Sequence, residues 1–510
     1  MKILKELTRE YLELSNLSQQ QSLSDEFIFH KIAEFDEKYK DLKPHYESFE
    51  GLLSNIGADQ KSIKILNYVI KRLNTKKDDL PPNNYYYDLA NTILAKADIE
   101  FTTPSDFYYL INSTRYKEAK NTFLLVGKDD PLHFERAATN IANILEKYGR
   151  NYEALYAYEK VIKFNPNFGM ALGNKAIALE YYIRLAPQQS LVLLNQSYLL
   201  LKRALKDEQI PEIGGPCVAK YFEKKLIAIE SYFKQLNYTP KVSQPPQNIT
   251  KYQQFILDNN LFLNYDFGYF YDDESLKDNF FPSLSEEINS KTSEKTSIMS
   301  EKTYFCFQVF NQLMEDFITS RYNFYKAVNL RCKRVDKTTN YIYTYDYTSH
   351  SLKFGMLKAV FSTLYNCLDK IAHLVNYYFS KSEIDANNIN IYFDWFTSDE
   401  FKAIIIEKQN YRLLALFSLT LDFKQNSPYN NLQRIRNRIT HSFLNVAMDF
   451  SLSRAPESYE TSAELLIEHI NSLFIVVKSA IIYTIIAIRL DSKENNTLPM
   501  IATMQGDIYK

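Results

Sequence analysis

Apolar residues recur at helical spacing along most of this chain. The clearest stretch is ERAATNIANILEKYGRNYEALYAYEKVIKFNPNF, residues 135–168. Ala138, Ile141, Ala142 and Leu145 fall three or four apart and predict the packed face of one helix. Gly149 stands where that helix would end, because glycine enters the left-handed conformation of a C-terminal cap without a steric penalty. Ala154, Tyr158 and Val161 predict the packed face of a second helix, which Pro166 terminates for want of an N–H. The following GMALGNKAIALEYY repeats the spacing through Leu172, Ala176 and Leu179.

This phasing of Gly, Ala, Tyr and Pro resembles the tetratricopeptide repeat, whose period is about 34 residues. YYYDLANTILAKADIEF, from Tyr85, and STRYKEAKNTF, from Ser113, follow it more loosely and read as diverged repeats. Generic packing of helical hairpins is the alternative. Stacked repeats make a curved surface, so the resemblance implies a protein or peptide partner and a sensing, specificity or oligomerisation arm. The expected organisation is an N-terminal helical segment over residues 1–82, repeats over 83–238, a connector and irregular entry over 239–302, and a second helical domain over 303–510. Pro, Ser, Gln and Asn in TPKVSQPPQNIT, residues 239–250, mark the connector. Residues 283–302, SLSEEINSKTSEKTSIMSEK, lack an apolar period and predict a surface loop.

Two segments of the C-terminal half carry an ordered polar stripe beside the apolar one. In LKFGMLKAVFSTLYNCLDKIAHLVNYYF, residues 352–379, the core face is Leu357, Phe361, Leu364, Leu368, Ile371 and Val375. Ser362, Asn366, Asp369, His373 and Asn376 form a second line, about 130° round the helix at about 100° per residue. After Pro428, NLQRIRNRITHSFLNVAMDF predicts a buried stripe of Leu432, Ile435, Ile439 and Phe443. Arg434, Asn437, Arg438 and His441 share the opposite face. Arg436 sits apart, about 140° from His441 on an ideal helix.

Composition narrows the class. At 510 residues the chain exceeds a single core, and 45% apolar with 24% charged residues describes a folded protein. Only 11 glycines disfavour phosphate-cradling loops and tight-turned sheets, so the expected fold is all-α: a helical solenoid followed by a helical bundle. A net charge of −1 lacks the field of a nonspecific nucleic-acid binder, so any RNA contact must use a local patch. Cys217, Cys306, Cys332 and Cys367 form no C-x-x-C pair, against a zinc knuckle or disulfide framework and in favour of a reducing cytoplasm. MKILKELTREYLEL reads as an amphipathic helix and not as a signal peptide. Residues 473–490 are apolar over about a membrane span, but Lys478 interrupts them, so a buried helix and no membrane contact are expected. Phosphate-loop, nucleophile-elbow and H-E-x-x-H motifs are missing; no cofactor or metal is expected.

RNRITH, residues 436–441, resembles the R-x4-6-H motif of the HEPN superfamily, with Asn directly after Arg. The order LKAVFSTLYNCLDKIAHLVNYYF, LLALFSLTLDF, LQRIRNRITHSFL is similar to HEPN domains fused to N-terminal repeat helices, over roughly residues 258–490. The resemblance implies metal-independent cleavage of intracellular RNA, tRNA or mRNA, at the interface of a homodimer, in a bacterial defence or toxin-like setting. His441 would exchange protons with the ribose 2′-hydroxyl or the leaving 5′-oxygen, Arg436 would neutralise the phosphate, and Asn437 would orient the imidazole or hold a phosphate oxygen. Arg434 and Arg438 would contact RNA, with Asp369 and His373 in support. The angle between Arg436 and His441 predicts a cleft completed by a second copy of the helix. The competing reading is a noncatalytic scaffold, in which the repeats hold a partner and the bundle serves dimerisation or RNA binding.

Overall fold

The computed structural model describes residues 2–39, 49–103, 106–185, 190–242, 248–264, 276–280, 285–286, 301–331, 336–342, 347–380, 391–447, 460–495 and 498–499. Twenty α-helices account for most of these. They are α1 (Lys2–Gln20), α2 (Asp25–Lys38), α3 (Phe49–Asp59), α4 (Ile63–Thr75), α5 (Pro82–Glu100), α6 (Phe107–Asn112) and α7 (Arg115–Phe123). Next come α8 (Pro131–Lys147), α9 (Asn151–Phe164), α10 (Gly169–Leu185), α11 (Ser190–Ala204), α12 (Ile210–Gly214), α13 (Pro216–Gln235) and α14 (Lys251–Asp258). The C-terminal set is α15 (Glu301–Val328), α16 (Leu352–Phe379), α17 (Asp399–Lys408), α18 (Tyr411–Leu421), α19 (Asn430–His441) and α20 (Ala463–Asn495). The all-α expectation holds, with small strands added: β1 (Ser285–Glu286) pairs with β5 (Leu498–Pro499), and β2 (Thr348–Ser349), β3 (Asn445–Ala447) and β4 (Glu460–Ser462) form a three-stranded sheet. Most of residues 283–302, the predicted loop, lies outside the described residues, as do 243–247 of the connector and Cys332.

Two compact units form, each from separated stretches of chain. The first comprises Met1–Lys147, Ala154–Lys175 and Leu201–Glu223; the second comprises Tyr148–Glu153, Ala176–Leu200 and Lys224–Lys510.

In the first unit, Ile28, Ile32, Leu53, Ile56, Ile65 and Val69 of α2, α3 and α4 interlock in a fully desolvated core. The α8 and α9 pattern matches the predicted hairpin, and Tyr158 is buried with its hydroxyl 2.6 Å from Asn143 Oδ1 and 2.8 Å from Glu146 Oε2. Gly173 permits a close approach, since a Cβ there would lie 2.0 Å from the Phe222 ring.

In the second unit α16 packs against α15 and α20, and its predicted core residues Leu357, Phe361, Leu364, Leu368, Ile371 and Val375 are all buried. The α20 helix is long and apolar enough to cross a membrane, but 89% of its most apolar window is buried inside the protein. Lys478, which interrupts that stretch, is buried with Nζ 3.1 Å from the Asn260 carbonyl oxygen. Gly149 adopts φ +73°, as a left-handed cap requires, and a Cβ there would lie 2.3 Å from the Tyr411 carbonyl oxygen. Beside it Arg150 donates from Nη2 and Nε to Glu153 at 2.6 and 2.8 Å and from Nη1 to Asp422 Oδ2 at 2.6 Å. Arg412 donates to the Gly149 carbonyl at 2.5 Å and to Asn151 Oδ1. Both arginines are buried. Burial alone would disfavour the charge on Arg150, but the Glu153 and Asp422 carboxylates hold its proton firmly.

Candidate active site

The segment leading into α19 is built from rings. Tyr365 of α16 meets Phe423 edge-on at 6.1 Å, Phe423 meets Phe393 at 5.3 Å and Tyr429 at 5.6 Å. Such contacts fix orientation as well as burying area. The Tyr429 amide donates to the Asp422 carbonyl at 2.8 Å, so the turn before α19 is tied to the last residues of α18. Leu432 and Ile435 then bury one face of α19, which packs on α16.

The helix stops at His441. Ser442 leaves helical geometry with φ −148° and ψ −126°, while its amide still caps the Arg438 carbonyl. The chain then enters β3, which pairs antiparallel with β2 and parallel with β4. Since β2 leads into α16 and β4 into α20, the sheet fastens one end of three helices and holds the His441 end of α19 in place. This end corrects the predicted buried stripe. Phe443 lies beyond the helix and is 55% exposed, and Ile439 is only half-buried, because the helical period stops before it can carry Phe443 to the core.

Arg436 is half-buried, and its guanidinium carbon stands 5.5 Å from the centroid of the Tyr365 ring, within cation–π range. Nη1 lies 3.2 Å from His441 Nε2 and 3.3 Å from Asn437 Oδ1. A guanidinium only donates, so a hydrogen bond at this contact requires the Nε2 lone pair, with the ring proton on Nδ1. Among the described residues, no acceptor meets the buried Nε of Arg436. One chain therefore brings Arg436 and His441 together, against the expectation that their angular separation required a second helix. Ideal-helix angles compare Cβ directions, whereas the long arginine side chain bends back along the helix to the residue at its frayed end.

Asp369, one turn beyond Tyr365 on α16, accepts the Phe393 amide at 2.8 Å. Burial raises its carboxyl pKa and the Asp394 charge adds to that, while the Phe393 hydrogen bond and the Arg436 charge oppose it. Asp369 thus lies within the field of Arg436. His373 does not join them: it packs edge-on against Phe305 at 5.7 Å, and burial lowers its pKa. Arg434 and Asn437 are exposed and Arg438 half-buried on α19. The sequence reading passed over Tyr365, although its spacing of four from Asp369 put both on one face; as an aromatic in an apolar-rich helix it looked like core.

Residues 298–491 match the family model described as LA2681-like HEPN. This part of the chain is similar to HEPN domains, in keeping with the resemblance of its R-x4-H motif. The match takes in α16, α18 and α19, and so Tyr365, Asp369, Arg436 and His441, and excludes the N-terminal helical hairpins. HEPN domains are associated with RNA-related functions. No curated protein and no solved structure matches the chain.

Proposed function

We propose that the HEPN domain is a metal-independent endoribonuclease acting on intracellular RNA in a defence or toxin-like role, with the N-terminal helices binding a partner. The observation that supports this best is the contact between Arg436 and His441 at the open end of α19. Without substrate, the guanidinium occupies the lone pair that a general base needs. An RNA phosphate is the stronger acceptor, because a charge-assisted pair with arginine is about twice as strong as a neutral hydrogen bond. Swinging onto phosphate, Arg436 leaves Nε2 free and gives its orphaned Nε a route to an acceptor.

Nε2 then takes the proton of a ribose 2′-hydroxyl as that oxygen attacks the adjacent phosphorus. The bond to the 5′-oxygen breaks, leaving a 2′,3′-cyclic phosphate and a 5′-hydroxyl. Arg436 neutralises the charge that grows on the non-bridging oxygens. Attack and departure occur on opposite sides of phosphorus, so the proton for the 5′-oxygen comes from a second group, for which His441 of a second copy, in its imidazolium form, is the natural candidate; it ends neutral as the first His441 ends protonated. Arg434 and Arg438 supply the local positive patch that a chain of net charge −1 otherwise lacks.

The test is cleavage of total RNA and tRNA by the purified full chain in EDTA, with the product ends identified. Wild type should leave cyclic phosphates, and His441→Ala should cut at least about 100-fold more slowly. Equal cleavage by both proteins would remove His441 from this role.

A further inference from the structure

The first unit contains a groove of about 1510 Å³, larger than the roughly 300–1,000 Å³ that suits a compact small molecule. It runs over α3, α5 and α8. Side-chain amides line it: Asn140 donates to Asn91 at 2.9 Å, and Asn143 is held from behind the lining by Asn174, which donates to its Oδ1 at 3.1 Å. One turn from Asn91 and Asn140, the Arg136 charge lies near the Tyr87 hydroxyl, and the Tyr87 ring meets His133 edge-on at 5.0 Å. Leu94, Ile99 and Leu132 give the groove apolar stretches between the polar rungs.

Asp88 stands out in this lining. It is only 8% exposed, and among the described residues no group donates a hydrogen bond to its carboxylate. The Glu50 charge acts on it; Glu50 is 1% exposed, its Oε1 accepts from Arg72 and Lys76, and among the described residues no donor meets its buried Oε2. Gly51 leaves room for Asp88, since a Cβ there would lie 2.7 Å from Oδ1. The other charged groups of the lining are Asp98, paired with Lys147, Glu212 at the rim, exposed Lys61, and Arg136 with His133 on α8. Carboxylates outnumber the fixed cations, which disfavours a nucleic-acid occupant.

We propose that this groove binds an extended peptide segment carrying a lysine or arginine, whose cationic head pairs with Asp88 while the Asn91, Asn140 and Asn143 amides bond its main chain. An amide offers both a donor and an acceptor, as a peptide group does, and the volume accommodates an extended strand. A cation placed on Asp88 also relieves a buried carboxylate that the protein leaves unmatched. Burial, and then the Glu50 charge, raise the Asp88 carboxyl to about 7, so binding should release a proton and tighten as pH rises from about 6 to about 8.

The test uses an array of randomised decapeptides, each made with lysine and again with norleucine in its place, probed with the full chain. A selected peptide should lose at least about tenfold in affinity when lysine becomes norleucine. Asp88→Asn should lose the same factor, discriminate no further between the two peptides and show no pH dependence, with an unchanged circular dichroism spectrum. Asn140→Ala should weaken both peptides alike. The proposal is overturned if no decapeptide binds, if Asp88→Asn binds as wild type does, if acidic peptides are selected instead, or if a poly(A) decamer displaces the peptide. None of these outcomes depends on RNA cleavage, so the groove and the HEPN site stand or fall separately.

Discussion

Two regions of the second unit place arginine side chains in opposite circumstances. Around residues 148–153, Arg150 is sealed from water and matched by the Glu153 and Asp422 carboxylates, while Arg412 meets a carbonyl and an amide oxygen. At the end of α19, Arg436 is half-buried, its buried Nε meets no acceptor among the described residues, and one Nη rests against the His441 imidazole. Arg150 in the first arrangement is complete, with each of its three nitrogens donating to a carboxylate. The second is incomplete: a stronger acceptor can draw the guanidinium away from the imidazole, as the proposed cleavage requires. A buried, saturated arginine is evidence of architecture, and a partly satisfied one beside a histidine is evidence of a site.

The largest expected effect breaks the second arrangement. His441→Ala should slow RNA cleavage about 100-fold or more while leaving the unfolding midpoint in urea unchanged. A comparable loss of stability would mean the pair is architectural after all.

Next is the converse experiment on the first arrangement. Arg150→Met leaves two carboxylates buried without a counter-ion and should cost about 3–5 kcal/mol in chemical denaturation. Adding Glu153→Gln and Asp422→Asn should restore much of it, since a buried ion network replaced as a whole is often nearly neutral. No recovery would show that Arg150 acts through packing alone.

The pH dependence of the first unit sharpens the same contrast with carboxylates. Burial, the larger cause, raises Asp88 and Glu146 to about 7 each; the Glu50 charge adds at Asp88, and the Tyr158 hydrogen bond opposes at Glu146. Groups raised above their unfolded values bind protons more tightly in the folded state, so their contribution is present at low pH and lost as pH climbs from about 4 to about 7. Unfolding at successive pH values should show this decline at up to about 1.4 kcal/mol per pH unit for each group while it titrates, and Asp88→Asn should remove its share. A slope of opposite sign would mean these carboxylates are matched.

The smallest effect concerns aim. Tyr365→Leu keeps the apolar contact with Phe423 but removes the ring face under Arg436, a cation–π interaction worth about 0.5–1 kcal/mol. Cleavage should fall about 2- to 5-fold in kcat, with KM little changed, and Tyr365→Phe should restore it. Failure of phenylalanine to rescue would assign the effect to the hydroxyl.

Much of this was legible in the residues. The 3.6-residue period located α8, α9, α16 and α19, and Gly149 and Pro166 marked real helix ends, because local sterics act through neighbours in the chain. The R-x4-H motif singled out Arg436 and His441. Phe443 was misplaced because apolar spacing continues past a helix that stops at Ser442, and periodicity cannot see the strand pairing of β3 that ends it. Tyr365 escaped notice because its role depends on a side chain arriving from another helix.

The sequence by itself determined the helical class, the main hairpins and the buried faces of α16, since these depend on backbone preference and the spacing of apolar groups; Arg436 and His441 were marked only by the resemblance of RNRITH to the HEPN motif. Tertiary structure alone decided that Arg436 reaches His441 in one chain, that Tyr365 and Asp369 stand beside it, that Arg150 is saturated, and that Asp88 faces a groove without a counter-ion. Each of these turns on distances between residues far apart in the chain and on the removal of water from around them, and neither is written in local periodicity.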